Sequence, residues 1–324
     1  MLRRTLLAAS ASPTLRRIVT TAPVARDVVA RFVAGDTADD ALRATRRLQA
    51  DGLLVTLDYL GEDTVDPEQA VAVTEEYVRL LGLLAGAGLA MKGAGEGGTG
   101  RWVGGGRAEV SVKPTAVGLG LRDHGEKTAR ENIARIATAA REAGTTVTVD
   151  MEDHTRVDQT LQILGQLRPD FPDLGCVIQS YLRRSPEDCR RLATAGSRVR
   201  LCKGAYSAGP DVAFTAKADV DRCYARCLQV LMAGPGYPMI ATHDPRLIKI
   251  AGVRADLAER TAGSFEYQML YGIRPAEQLR LARSGAQVRV YLPYGQDWYG
   301  YLVRRLAERP ANLAFFLRSL ATRR

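Results

Sequence analysis

The chain has 324 residues, of which 46% are hydrophobic and 25% charged, an ordinary globular balance and length enough for one large α/β domain or two small ones. Its net charge of +9 is carried almost wholly by arginine, but there is no run of five or six basic residues and no binding motif, so nucleic acid is not expected as a partner. Five cysteines without a CxxC, and only three histidines, argue against a structural metal site and point to a reducing, cytoplasmic compartment.

The segment Met1–Ala11 has two arginines and a short apolar stretch, but Arg16 and Arg17 follow too soon for a signal peptide. No apolar run approaches the roughly 20 residues that span a bilayer. Residues 1–50 read as an N-terminal helical arm, with Leu42, Thr45, Leu48 and Gln49 in its last helix.

Residues 51–324 then alternate short β-rich runs with amphipathic stretches. Strands are predicted at Leu53–Tyr59, Glu109–Thr115, Thr146–Met151, Gly175–Tyr181, Arg198–Lys203, Met239–His243, Gly263–Gln268 and Gln287–Leu292. Helices are predicted near 67–85, 126–143, 155–167, 186–195, 211–233, 244–259, 275–284 and 297–308. Eight strand–helix units over this length predict an α/β fold of the (β/α)8 barrel type. A doubly wound sheet would want a glycine-rich phosphate loop after its first strand, and Asp58-Tyr-Leu-Gly-Glu-Asp is not one. Gly93-Ala-Gly-Glu-Gly-Gly98 matches GxGxxG, but it follows a helix and precedes a strand, the reverse of the required order. It reads as part of a flexible insertion, Lys92–Gly106.

The last of these helices lacks a clean apolar stripe. Tyr301, Arg304, Arg305 and Glu308 fall on one face at i, i+3, i+4 and i+7. Pro310 opens a further helix, Ala311–Leu320, with a good apolar stripe. This predicts that Ala311–Leu320 covers the barrel wall and that 297–308 is displaced over the barrel mouth.

In such a barrel, polar residues at strand C-termini point into the site. Those positions are Asp58, Lys113, Asp150, Gln179, Arg200 with Lys203, Thr242 with His243, Glu266 and Tyr291. Each has a plainer reading. Lys113 can reach solvent, and Asp150, Glu152 or Asp153 can cap the next helix. Gln179 can satisfy backbone groups, and His243 can be a hydrogen-bonded core residue. Arg304 and Glu308 can be a surface ion pair. The functional reading gains because the residues recur at the same edge of successive strands.

The runs Asp150-Met-Glu, Gln179-Ser-Tyr, Arg200-Leu-Cys-Lys-Gly-Ala-Tyr206, Ala241-Thr-His243, Phe265-Glu-Tyr-Gln-Met-Leu270-Tyr-Gly and Tyr301-Leu-Val-Arg-Arg-Leu-Ala-Glu308 resemble, in order and spacing, the motif series of proline dehydrogenases. Arg31-Phe-Val-Ala-Gly and Thr56-Leu-Asp-Tyr-Leu-Gly61 extend the resemblance, which runs from about residue 30 to 320. It implies a distorted (β/α)8 barrel, non-covalent FAD, L-proline as substrate, and a helix eight above the barrel. Arg304 and Arg305 match the pair that holds the proline carboxylate, Glu308 a partner of that pair, and Lys113 a lysine beside the substrate. Asp150, Tyr206, Leu270, Tyr291 and Tyr301 match other substrate-pocket positions. Met151, Gln179, Arg200, Lys203, Gly204, Ala205, Thr242 and His243 match FAD contacts, and Lys217 falls where the family has a basic residue near the FAD phosphates. Asp150 and Arg200 are the expected catalytic pair, with Asp150 also orienting Lys113.

Ser207 departs from a common tryptophan, and Asp244 from a common asparagine. The resemblance further implies a quinone acceptor, peripheral contact at the inner face of the cell membrane, and a separate pyrroline-5-carboxylate dehydrogenase downstream. Two competing functions are a Schiff-base lyase using Lys113 or Lys203 and a non-enzymatic basic binding protein.

Overall fold

The computed structural model describes residues 29–91 and 105–308, with the side chains of 306–308 excepted. The segment 92–104 and the predicted helix Ala311–Leu320 lie outside the described residues. Eight parallel strands close into a barrel in chain order, with β8 pairing β1. They are β1 (Leu54–Tyr59), β2 (Ala108–Val112), β3 (Val147–Val149), β4 (Gly175–Gln179), β5 (Arg198–Cys202), β6 (Tyr237–Ala241), β7 (Glu266–Leu270) and β8 (Val288–Tyr294). Around them lie α1 (Ala38–Ala50), α2 (Pro67–Gly86), α3 (Gly125–Glu142), α4 (Val157–Leu167), α5 (Ser185–Leu192), α6 (Lys217–Ala233), α7 (Pro245–Leu257), α8 (Pro275–Arg283) and α9 (Trp298–Glu308). The fold class is the one the alternation predicts. The helix expected from 211 starts at Lys217 instead, because Ala213 forms an antiparallel bridge with Leu182 and holds that stretch extended.

The strands form because alternate residues face opposite sides. One set is apolar and largely β-branched or aliphatic: Val55 and Leu57, Val110 and Val112, Val147 and Val149, Cys176 and Ile178, Val199 and Leu201, Val288, Val290 and Leu292. This set is buried with the helices in the main core. The other set is largely polar, with Val177 and Met239 among the exceptions, and its charges meet inside the barrel. Arg198 on β5 pairs with Glu109 on β2, and Arg289 on β8 pairs with Glu266 on β7, Nε to Oε1 at 2.7 Å. Burial pushes the Glu109 carboxyl up, but Arg198, Arg289 and Arg200 outweigh it and hold its pKa down at about 2.

This layer corrects one expectation. Glu266 opens β7 instead of ending it, so it belongs to the barrel floor and not the mouth. Gln268 and Leu270 occupy the mouth-side positions of that strand.

Helix α1 starts at a capping box, in which Thr37 accepts from the Asp40 amide and Asp40 from the Thr37 amide. Its apolar face (Ala38, Ala41, Leu42, Ala44) joins the main core against β1 and β8. This is the wall position that a helix following β8 would otherwise fill. Helix α9 lies elsewhere. Tyr299, Tyr301, Leu302 and Val303 form a separate cluster with Val29, Phe32 and Val33 and with Leu60 and Ile273, residues just beyond the C-terminal ends of β1 and β7. Helix α9 therefore sits over the mouth, as its mixed face predicts.

Replacing Glu109 with Gln leaves two buried guanidinium groups short of a carboxylate. Chemical denaturation should report a loss of about 3–5 kcal/mol, whereas Glu187→Gln, in an exposed ion pair, should leave the transition essentially unmoved.

Candidate active site

The mouth of the barrel holds two linked groups of charge. In the first, Lys113 Nζ lies 2.6 Å from both oxygens of Asp58, and both residues are buried. Burial disfavours the Lys113 cation, but Asp58, Glu62 and Asp150 outweigh it and raise its pKa, so it stays charged. Asp150 Oδ1 accepts from Arg200 Nη1 at 2.6 Å and from Ser111 Oγ at 2.8 Å, while Oδ2 accepts from the Tyr291 hydroxyl at 2.8 Å. Arg200 Nε donates to Gln268 Oε1 at 2.5 Å, and its guanidinium sits 5.3 Å from the Tyr291 ring centroid. Burial, then the carboxylates Asp150 and Asp58, raise the Tyr291 pKa and keep it a hydrogen-bond donor.

The second group lies beyond β5 and β6. Lys203 Nζ is 2.6 Å from Asp221 and 3.2 Å from Asp244, and Lys217 Nζ is 2.6 Å from Asp221. Arg246 joins both carboxylates. Its bonds to Asp244 are the largest cause holding that carboxyl well below its usual range. Asp244 also caps α7, accepting from the Arg246 amide. Thr242 Oγ1 accepts from the Asp244 amide at 3.1 Å. His243 Nε2 accepts from the Leu270 amide at 2.8 Å, which leaves Nδ1 to carry the ring proton in the neutral form.

Between the two groups, Gln179 Nε2 donates to the Met151 carbonyl at 2.8 Å. Two buried polar atoms here have no protein partner, Gln179 Oε1 and Arg200 Nη2. Gly204 has a positive φ of 93°, and a Cβ there would collide with the Tyr181 ring. Such orphaned polar atoms are costly unless a ligand meets them. Helix α9 roofs the mouth. Arg304 forks onto the Glu62 carboxylate, and Arg305 lies over the Tyr301 ring at 5.1 Å.

The family model described as proline dehydrogenase matches residues 41–318. The chain belongs to the proline dehydrogenase family. Proline dehydrogenase 1 of Bacillus subtilis (strain 168) is 38% identical over 290 residues, covering 90% of this chain and 89% of that protein. The proline dehydrogenase of Deinococcus radiodurans is 39% identical over 295 residues, covering 90% and 89%. The crystal structure of proline utilization A from Bdellovibrio bacteriovorus, inactivated by N-propargylglycine, superposes with a TM-score of 0.78 at 27% identity, over 88% of this chain and 33% of that one.

For a proline dehydrogenase family member, the predicted site residues gather well. Asp150, Arg200 and Tyr291 form one hydrogen-bonded set, Lys113 is held by Asp58, and Lys203, Lys217, Thr242 and His243 lie beyond the ends of β5 and β6. Tyr206 is half-buried, with its hydroxyl pKa raised by burial first and by Glu62 and Glu152 next. Leu270 packs beside the α9 cluster. Gly204 and Ala205 follow β5, and Met151 is buried after β3. The Glu308 side chain lies outside the described residues.

One expected pairing differs. Asp150 holds Arg200 and Tyr291, whereas Lys113 is held by Asp58, because Asp58 meets the lysine head with both oxygens at once. Arg304 pairs with Glu62, in the loop after β1; the expected role of Glu308 falls on a side chain outside the described residues. Glu62, Ser111, Gln268, Asp221 and Arg246 went unread. Gln268 and Ser111 carried the same strand-alternation signal as Arg200, whereas Glu62 sits in a loop that has no periodicity to reveal it.

Glu152 supplies a measurable consequence. It accepts from the Thr115 amide at 2.9 Å and the Thr115 hydroxyl at 2.5 Å, and Thr115 in turn receives the amides of Asp63 and Thr64. Burial raises the Glu152 carboxyl to about 7. The folded protein therefore keeps a proton that the unfolded chain has released. Stability falls as pH rises from about 4.5 to about 7 and is then flat with respect to this group. Glu152→Gln escapes that loss, so its melting temperature relative to wild type should climb between pH 5 and pH 8. A constant difference across that range would contradict the assignment.

Proposed function

We propose that the protein is a proline dehydrogenase that oxidises L-proline to 1-pyrroline-5-carboxylate with FAD as its cofactor. One observation carries the reading within the family: at the mouth, Arg200 Nη2 and Gln179 Oε1 are both buried and unpartnered, beneath a helix that presents Arg304 and Arg305. One atom donates and the other accepts, as the mixed edge of a flavin ring requires. Met151, Gln179, Arg200, Lys203, Gly204, Ala205, Thr242 and His243 would hold the FAD, with Lys217 toward its phosphates. When bound, it supplies the two-electron acceptor that no side chain can provide.

The chain's own residues do the rest. A paired arginine suits a carboxylate, because two planar, permanently charged forks fix its orientation. Arg304 already forks onto a carboxylate, that of Glu62, and a substrate carboxylate offers it the same geometry. The amine must lose its proton before the neighbouring carbon is oxidised. Among the described side chains, four cations (Lys113, Arg200, Arg304, Arg305) face three carboxylates (Asp58, Glu62, Asp150), a net +1. That excess favours the deprotonated amine of a bound amino acid. Asp150 holds Arg200, Asp58 holds Lys113, and Tyr206, Tyr291 and Tyr301 exclude water.

The resemblance further supports transfer of the electrons to a quinone and of the product to a separate dehydrogenase. Among the described residues, no helix is long and apolar enough to cross a membrane. Contact with a quinone-bearing membrane is therefore read as peripheral, from the cytoplasmic side. The Schiff-base alternative has less support, since Lys113 and Lys203 are both engaged by carboxylates.

Purified protein supplied with FAD should be yellow, release its flavin on heating, and bleach when L-proline is added anaerobically. A flavin-free protein, or a flavin that proline leaves oxidised, would contradict the reading. Arg305→Met should raise KM for proline by at least tenfold, because a buried carboxylate loses a charged partner. An unchanged KM in steady-state assays would remove Arg305 from the carboxylate site.

A further inference from the structure

Gln268 stands where the paired charges of the barrel floor meet those of the mouth. Its Oε1 accepts from Arg200 Nε at 2.5 Å, and its Nε2 donates to Glu266 Oε1 at 2.6 Å. Both neighbours dictate the same amide orientation, since arginine can only donate and an ionised carboxylate can only accept. Glu266 needs nothing from Arg200, because Arg289 Nε and Nη2 reach its two oxygens at 2.7 and 3.1 Å.

Arg200 has three nitrogens. Nε goes to Gln268, Nη1 goes to Asp150 and Ser111, and Nη2 has no protein partner. A guanidinium is planar, so fixing Nε and Nη1 fixes where Nη2 points. Along the sheet, Arg200 is level with Met239, which is level with Glu266. A carboxylate thus lies two strands away from the cation, and Gln268 stands between them.

We propose that Gln268 is a positioning residue for proline oxidation: it keeps the Arg200 guanidinium turned into the site and separates it from the Glu266 carboxylate. This rests on the flavin reading above. A cation held toward an electron acceptor favours the acceptor's reduced, more negative form. Glutamine suits the place because one end accepts and the other donates. An apolar side chain leaves Arg200 Nε without an acceptor and a Glu266 oxygen short of one donor. Arg200 then has reason to turn down toward Glu266, and its charge leaves the mouth. Arg304 and Arg305 are untouched by this change, so substrate capture and reduction should separate.

The test uses the full chain loaded with FAD. The midpoint potential is measured without proline, by equilibration against a reference dye, and reduction by proline is followed by anaerobic rapid mixing. Gln268→Met should lower the equilibrium constant for flavin reduction about tenfold, a drop of about 30 mV for two electrons. Its limiting reduction rate should fall about tenfold, with KM for proline within about twofold of wild type. Gln268→Asn, one methylene too short to reach both neighbours, should lose at least threefold in rate, and it serves if the methionine variant does not fold. Tyr237→Phe removes another hydrogen bond to Glu266, at 3.2 Å, without touching Arg200. It should leave the potential unchanged.

Wild-type potential and rate in the Gln268 variants would overturn the proposal, and so would an equal drop in Tyr237→Phe. Wild-type protein that binds no FAD, or is not reduced by proline, would instead remove the flavin reading before any variant is compared.

Discussion

The structure depends on closing a barrel around charge. Small barrels are ordinarily filled by branched apolar side chains in layers. Here Glu109, Arg198, Glu266 and Arg289 fill the floor, and Asp58, Ser111, Lys113, Asp150, Arg200 and Gln268 continue upward from it. Ions of this kind are tolerated in a dry interior only when their charges and lone pairs are met. Most of the floor meets that condition: Glu109 receives two threonine hydroxyls as well as Arg198, and Arg289 adds bonds to the Val55 and Gly106 carbonyls, whereas Arg198 Nε is buried without a hydrogen-bond partner. At the mouth, Arg200 Nη2 and Gln179 Oε1 are buried without a protein partner.

The same constraint explains the displaced helix. A helix on the barrel wall would bury Arg304 and Arg305 against the apolar outer faces of β8 and β1. Placed over the mouth, those arginines meet Glu62 and the Tyr301 ring, while Leu302 and Val303 find apolar partners in residues 29–33. Helix α1 takes the wall position because its alanine-rich face can approach β1 and β8 closely. Helices α1 and α9 are in this sense one solution to one packing problem.

The outward half of the barrel was legible in the sequence because it repeats. Pairs such as Val110 and Val112, or Val199 and Leu201, announce strands, and the polar residues between them announce an interior that must be paired. Arg304 and Arg305 were legible because they spoil an apolar stripe. Strand ends were less legible, and Glu266 went to the wrong end of the barrel because the strand that carries it starts three residues later than its β-rich run. Partners were the least legible. Lys113 could have met Asp58 or Asp150 equally well by position along the strands. Only closure of the barrel, which brings β1 beside β2 on one side and β8 on the other, places Asp58 against the lysine and Tyr291 against Asp150.

On the proposed reading, the mouth beneath α9 is built for a cyclic amino acid whose carboxylate meets the arginines of that helix. A crystal structure with FAD and an analogue that has ring oxygen in place of the proline nitrogen would test it most directly. The analogue's carboxylate should lie within hydrogen-bonding distance of both Arg304 and Arg305, with its ring between Lys113 and Tyr291 and over the flavin. A carboxylate bound elsewhere, with Arg304 still forked onto Glu62, would contradict the claim.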